Sequence, residues 1–244
     1  MESKIRIKWF DSLDSTNDEL LRHISDYDNL SVVAAVEQFA GRGQRGNKWL
    51  SRPGENLTFS LLLHHADLPA REVMSVTFLS TLVIRDWLRR NGVSAVIKWP
   101  NDLYVGGRKI CGMLVENGLE GSGVAWSVVG IGINLNQVVF PGELVNPVSL
   151  KRLTGKDYDP KEALVEICRL FEERLPDLSL RRDRLYADYC DGLFQAGLPR
   201  PYRDLATGEE FTGTIKGVAQ DGRLLMDRDG ALYSYSFKEV GYIL

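Results

Sequence analysis

Residues 41–49 read Gly41-Arg42-Gly43-Gln44-Arg45-Gly46-Asn47-Lys48-Trp49. Glycines alternate with arginines, and a lysine and a tryptophan close the run. Glycine permits positive φ and close backbone approach, so successive N–H groups can converge on an anion. Arginine adds a planar fork of donors that matches carboxylate or phosphate. The strand-like segment Ser31 to Gln38 leads straight into this run. It therefore reads as a binding loop, with a flexible basic surface turn as the plainer reading of the run by itself.

Working outward, Ile5 to Phe10 has the character of a first strand. Ser15-Thr16-Asn17-Asp18-Glu19 follows, with a helix N-cap and an acidic first turn, and Leu20, Leu21 and Ile24 supply the apolar face. Downstream, Asn56 to His65 reads as a strand and Ala70 to Arg90 as a long helix, with Val76, Leu79, Val83 and Trp87 at helical spacing. Ala95 to Trp99 runs as a strand into the turn signal Pro100-Asn101-Asp102. Leu103 to Val105 and Lys109 to Glu116 flank Gly106-Gly107 as a hairpin. Val124 to Leu135 is a long strand interrupted by Gly130 and Gly132, and such glycines mark close approach of a ligand or another backbone. Asp159 is placed to cap a helix from Pro160 to about Leu175, and a further helix is expected between Leu180 and Cys190. The segment Gly197-Leu198-Pro199-Arg200-Pro201 reads as a linker. Beyond it, turns at Thr207-Gly208, Asp221-Gly222 and Asp229-Gly230 predict a small antiparallel barrel of about five strands.

The 244 residues suffice for one large domain and a small one. With 30 basic against 33 acidic residues and a net charge of -3, no global positive field points to nucleic acid. Apolar runs such as Val32 to Val36 and Leu61 to Leu63 are strand-sized, so no membrane span is expected. The charged start, Met1 to Arg6, lacks a signal-peptide core, and a cytoplasmic protein is the expectation. Cys111, Cys168 and Cys190 fit neither a disulfide framework nor a zinc site. His23, His64 and His65 stand in no metal-ligand spacing, which argues against metal-hydrolase and triad chemistry.

Four segments in order resemble the biotin–protein ligases: Ser15-Thr16-Asn17; Gln38 with Gly41 to Trp49; Lys98 to Tyr104 with Lys109 and Gly112 to Glu116; and Gly130-Ile131-Gly132-Ile133-Asn134. The resemblance implies an α+β fold: a mixed β-sheet catalytic domain packed with helices, class II aminoacyl-tRNA synthetase/biotin ligase-like, over 1–197, and an SH3-like β-barrel over 198–244. It implies activation of biotin with ATP to biotinyl-5′-AMP, with Mg²⁺ beside the ATP, and transfer to one lysine of a biotin carboxyl carrier protein. Family members with repressor activity carry an N-terminal helix-turn-helix; here the first motif begins at Ser15, so a monofunctional ligase without nucleic-acid or membrane partners is expected. A homodimer is compatible with it.

By the same resemblance Ser15, Thr16, Asn17 and Gln38 bind the biotin end, where hydroxyl and amide groups match a ureido ring. Trp49 and Trp99 are apolar enough to line the pocket, with core packing the alternative for Trp99. Lys98, Arg42 and Arg45 are the catalytic cations, neutralising charge where a carboxylate meets a polyphosphate. Gly41, Gly43, Gln44, Gly112 and Gly132 complete the biotin and adenylate surface, and Asn134 is an adenosine-side candidate. Asn101 and Asp102 order their turn or touch the metal, the first being favoured; the metal ligands are otherwise unassigned. Gln44 stands where several family members have an arginine whose loss is associated with leakage of the adenylate. Cys111 replaces a common glycine or alanine and reads as a small packed residue. A non-catalytic biotin-binding sensor is the alternative function.

Overall fold

A computed structural model describes residues 4–142 and 144–243, with the side chain of Arg45 outside the described set. The chain opens with β1 (Arg6–Leu13), α1 (Thr16–Arg22), β2 (Ser31–Gln38) and β3 (Leu57–Pro69). After a short 3₁₀ turn come α2 (Met74–Arg90), β4 (Val96–Lys98), β5 (Asp102–Val105), β6 (Arg108–Glu120) and β7 (Gly123–Ile133). The helices α3 (Leu150–Thr154), α4 (Pro160–Arg174), α5 (Asp177–Leu180) and α6 (Arg182–Asp191) follow. Five strands end the chain: β8 (Pro199–Asp204), β9 (Glu210–Val218), β10 (Leu224–Arg228), β11 (Ala231–Tyr235) and β12 (Val240–Tyr242).

The first seven strands form one mixed sheet in the order β1-β2-β3-β7-β6-β5-β4. Only β1 and β2 are parallel, joined through α1; every other pairing is antiparallel. Side chains alternate between the faces of a strand. Val32 and Ala34 of β2, Leu61 and Leu63 of β3, and Val129, Ile131 and Ile133 of β7 enter the large core. Val33, Leu62 and Val128 point the other way and pack with Leu20 of α1. Gly130 and Gly132 share the face of Val128, so the thin part of β7 lies on the α1 side.

On the core face, the expected stripe of α2 is realised, with Val76, Leu79, Val83 and Trp87 all buried. Asp159 caps α4 by accepting from the Lys161 N–H. The helix expected between Leu180 and Cys190 is α6, and the short α5 before it is separate because Arg181 leaves the helical region at φ -146. The strand expected to end at His65 continues to Pro69 across an irregularity between His64 and Leu68, which sequence alternation does not mark.

The C-terminal strands form an antiparallel sheet in the order β11-β10-β9-β8-β12. Among the described residues β11 and β12 are not paired with each other, so this sheet is open. Tyr202, Ile215, Val218, Leu224 and Met226 belong to the same core as Trp87, Ile97 and Trp99. The Trp99 indole N–H donates to the Gly222 carbonyl at 2.9 Å, and Tyr186 donates to Val218 at 2.5 Å. The C-terminal sheet is thereby built onto the edge of the large sheet beside β4 and β5.

Candidate active site

Strand register explains why distant motifs meet. Lys98 pairs with Asp102, Asp102 with Gly112, and Gly112 with Gly132. A second row sets Leu114 against Gly130 and Gly130 against Ser60. Residues in one cross-strand row share a face. These rows floor a cavity of about 220 Å³ lined by Ser15, Thr16, Asn17, Gln38, Arg42, Gly43, Gln44, Trp49, Lys98, Gly112 and Gly132, among others.

The glycines of the floor admit side chains. A Cβ on Gly130 would lie 2.1 Å from Asn17 Oδ1, and one on Gly132 would lie 2.3 Å from the Trp49 ring. A Cβ on Gly112 would meet Lys109 Nζ at 2.9 Å. The close approach anticipated at Gly130 and Gly132 is therefore made by Asn17 and Trp49.

One end of the cavity is a connected polar network. Ser15 caps α1 by accepting from the Asp18 N–H at 3.4 Å. Gln38 Oε1 accepts from the Thr16 N–H at 2.8 Å and from the Thr16 hydroxyl at 3.1 Å. The Thr16 and Ser60 hydroxyls are 2.7 Å apart, and Ser60 donates to Asn17 Oδ1 at 2.5 Å. Asn17 Nδ2 donates to Glu116 at 2.8 Å and to the Leu114 carbonyl at 3.2 Å. Thr16, Asn17 and Ser60 are buried, and satisfied buried networks of this kind are rigid.

The other end holds cations. Lys109 pairs with Asp102 at 2.7 Å. Lys98 has no carboxylate in ion-pair reach among the described residues, and its Nζ lies 5.2 Å from the Tyr104 ring and 4.9 Å from the Tyr242 ring. Burial pulls its pKa below the ordinary lysine range, with Lys109 adding to the effect and Asp102 opposing it. Phe237, from the turn before β12, adds an aromatic wall and meets Trp99 edge-on at 6.0 Å.

The glycine-arginine loop closes over both ends as a compact hairpin. The Gly43 N–H donates to Asn47 at 2.7 Å and the Trp49 N–H to Gly41 at 2.9 Å, around a 3₁₀ turn at Gln44–Gly46. Arg42 reaches down to Asp18 and Glu116, each at 2.7 Å. Burial works against its charge, but the hydrogen bonds and charges of Glu116 and Asp18 outweigh it and raise its pKa. Gln44 Oε1 and Trp49 Nε1 are buried without a hydrogen-bond partner among the described residues.

Three anticipated residues stand apart. Asn134 spends its amide on the Lys109 and Val148 carbonyls and is not in the cavity lining. Gly41 supports the loop from behind, facing an adjoining pocket of about 820 Å³. The side chain of Arg45 lies outside the described residues. Asn101 is buried and bonds back to Met113 through its main chain and side chain, a structural role. Cys111 is a buried free thiol whose pKa burial raises. No group of three or more His, Cys, Asp or Glu suited to a metal occurs among the described residues. Likewise no described helix is long and apolar enough to cross a membrane.

Sequence reading put Asp18 in the acidic first turn of a helix and Lys109 and Glu116 in a family motif without giving them contacts, and it passed over Ser60, Phe237 and Tyr242. A usable signal existed for Ser60, a polar residue inside the apolar run Leu57 to Leu63. Phe237 and Tyr242 enter from a remote strand region, and their place depends on tertiary packing.

The sequence profile of the biotin/lipoate A/B protein ligase family matches residues 9–134, a span that holds both rows and the loop. The chain belongs to that family. It is 30% identical over 233 residues to the bifunctional ligase/repressor BirA of Escherichia coli, covering 93% of this chain and 71% of the relative. It is 38% identical over 159 residues to the biotin–[acetyl-CoA-carboxylase] ligase of Paracoccus denitrificans, covering 62% of this chain and 65% of the relative. The structure of the biotin protein ligase from Aquifex aeolicus in complex with biotin and ATP superposes with a TM-score of 0.78 at 26% identity, over 97% of each chain.

Proposed function

We propose that this chain activates biotin with ATP and transfers the biotinyl group to a lysine of a biotin carboxyl carrier protein. A biotin carboxylate oxygen attacks the α-phosphorus, the bond to pyrophosphate breaks, and biotinyl-5′-AMP forms. The carrier amine then attacks the acyl carbon, AMP leaves with the bond electrons, and the ammonium proton passes to solvent. The observation that supports this best is Lys98, a cation without an ion-pair partner among the described residues, set in register with Gly112 and Gly132 beneath an arginine-bearing loop. A carboxylate and a polyphosphate repel, and a preorganised cation at their meeting point lowers the barrier.

In this reading the ureido ring lies against Ser15, Thr16, Asn17 and Gln38, and the carboxylate points at Lys98. Arg42, Arg45 and the backbone of Gly43 and Gln44 contact the adenylate and shield its anhydride from water. Asp102 is the one carboxylate beside Lys98 in the row, and it is already held by Lys109. That fits a Mg²⁺ carried mainly by the triphosphate, as is usual for this ion. Such an ion supplies charge neutralisation. Residues 1–197 then form the catalytic domain and 198–244 an SH3-like unit that closes its edge, in a cytoplasmic enzyme.

Incubation with biotin, ATP labelled at the α-phosphate and a carrier domain tests the reading. Labelled adenylate, and biotin on one carrier lysine, are expected. Biotin binding without adenylate would instead identify a sensor.

A further inference from the structure

The surroundings of Lys98 contain a feature that the reaction scheme leaves unused. The nearest acid in the row, Asp102, is occupied by Lys109 at 2.7 Å. What Lys98 meets instead is aromatic: Tyr104 from its own hairpin at 5.2 Å and Tyr242 from the C-terminal sheet at 4.9 Å. The face of a tyrosine ring attracts a cation through its quadrupole and brings no formal negative charge. A carboxylate in that position would neutralise the amine and compete with an incoming phosphate. Two rings hold the ammonium and leave its charge available.

Tyr242 is fixed by packing. Its ring lies 6.1 Å from Phe194, stacked at 28°, and 5.4 Å from Tyr202, edge-on. Phe194 in turn lies 5.9 Å from Tyr104. The Tyr242 hydroxyl is buried beside the Trp99 backbone, and what Tyr242 turns toward Lys98 is its ring. We infer that Tyr242, with Tyr104, is a positioning residue that cages the Lys98 ammonium, so that the C-terminal sheet completes the electrostatic site for adenylation. This rests on the role given to Lys98 above.

The test compares Tyr242→Leu, which keeps the wall dry but removes its π face, with Tyr242→Phe, which keeps the face. Biotin-dependent pyrophosphate–ATP exchange is measured from pH 6 to 10 (about the range over which a depressed lysine titrates), with Lys98→Met beside it. Tyr242→Leu is expected to lower kcat about tenfold, about 1.4 kcal/mol. Its biotin KM should stay near wild type and the alkaline limb should move to lower pH, because a dry amine without its π partner loses its proton more readily. Tyr242→Phe should restore both rate and limb. A purely structural role would lower the melting temperature and leave the limb in place, which overturns the proposal. Exchange impaired by Lys98→Met but normal in Tyr242→Leu would overturn the cage alone. Normal exchange in Lys98→Met would overturn the role of Lys98 and the cage with it. Should Tyr242→Leu not fold, the wild-type chain labelled with ¹³C-lysine decides: the Lys98 ε-methylene should be shifted upfield by ring current, and an ordinary shift refutes the cage.

Discussion

The two ends of the cavity solve opposite problems. At the Asn17 end the polar groups are linked to one another inside the protein, from Gln38 through Thr16 and Ser60 to Asn17 and Glu116. At the Lys98 end a charge is kept without an ion-pair partner among the described residues and held by rings. The first arrangement fixes a shape. The second keeps an electrostatic potential that water or a carboxylate would otherwise cancel. A site that must first recognise a neutral ring and then stabilise developing charge needs both, and they come from different strands of one sheet.

Perturbing the charged end should have the largest effect. Lys98→Met is expected to reduce adenylate formation by about two orders of magnitude or more, the scale of losing one preorganised donor. Its fold should be no less heat-stable than wild type at pH 7. Burial lowers the Lys98 pKa, so the folded state binds the proton less well than the unfolded chain does. The resulting cost is present at neutral pH, shrinks as pH rises from the depressed value toward the ordinary lysine value of 10.5, and is absent above it. Rate by pyrophosphate exchange and melting by circular dichroism check the two halves.

Perturbing the polar end should trade rate for affinity and stability. Gly130→Ala forces a methyl group to within 2.1 Å of Asn17 Oδ1, which is already bound to Ser60. Overpacking of this kind costs about 1–3 kcal/mol of stability. Biotin affinity should fall at least about tenfold, or roughly 1.4 kcal/mol, measured by calorimetry beside urea unfolding.

Glu116 links the polar end to the loop, since it accepts from both Asn17 and Arg42. Glu116→Gln leaves Asp18 as the remaining acid on Arg42 and should loosen the loop. Faster hydrogen exchange across residues 42–47 is expected, with a rise of about fivefold in the KM for ATP, about 1 kcal/mol. Unchanged exchange would detach the loop from this network.

The smallest effect belongs to the pair outside the cavity. A hydrogen bond from Arg22 holds the Asp14 carboxyl down to about 2, from an ordinary 3.8. A carboxyl lowered in the fold adds stability above its unfolded pKa, and that contribution is lost as pH falls toward 2. Asp14→Asn should lower the melting temperature at pH 7 by no more than about 2 °C, because the pair is solvent-exposed. The difference should vanish in an acid titration toward pH 2.

The contrast between the ends also separates what was legible in the sequence from what was not. Ser15, Thr16, Asn17 and Gln38 were legible through the family resemblance, whereas their local pattern by itself reads as no more than a helix cap and a strand end. The gap-making role of Gly130 and Gly132 was legible as a close approach, but the groups that approach were not, since Asn17 and Trp49 lie more than eighty residues away. Arg42 was read as a cation for substrate, and its acidic anchors on α1 and β6 depend on how the strands stack. Asn134 entered the candidate set through the family resemblance, and just beyond β7 its amide donates to the backbone carbonyls of Lys109 and Val148. The aromatic cage was illegible: Tyr242 lies far from Lys98 in sequence, and no local pattern links the two.

Calorimetric titration of biotin alone into Gly130→Ala and Lys98→Met tests most directly whether the two ends have separate duties. Gly130→Ala should bind biotin at least about tenfold more weakly than wild type, while Lys98→Met stays within about threefold, below 0.7 kcal/mol. The reverse order, with biotin lost in Lys98→Met and retained in Gly130→Ala, would contradict the account.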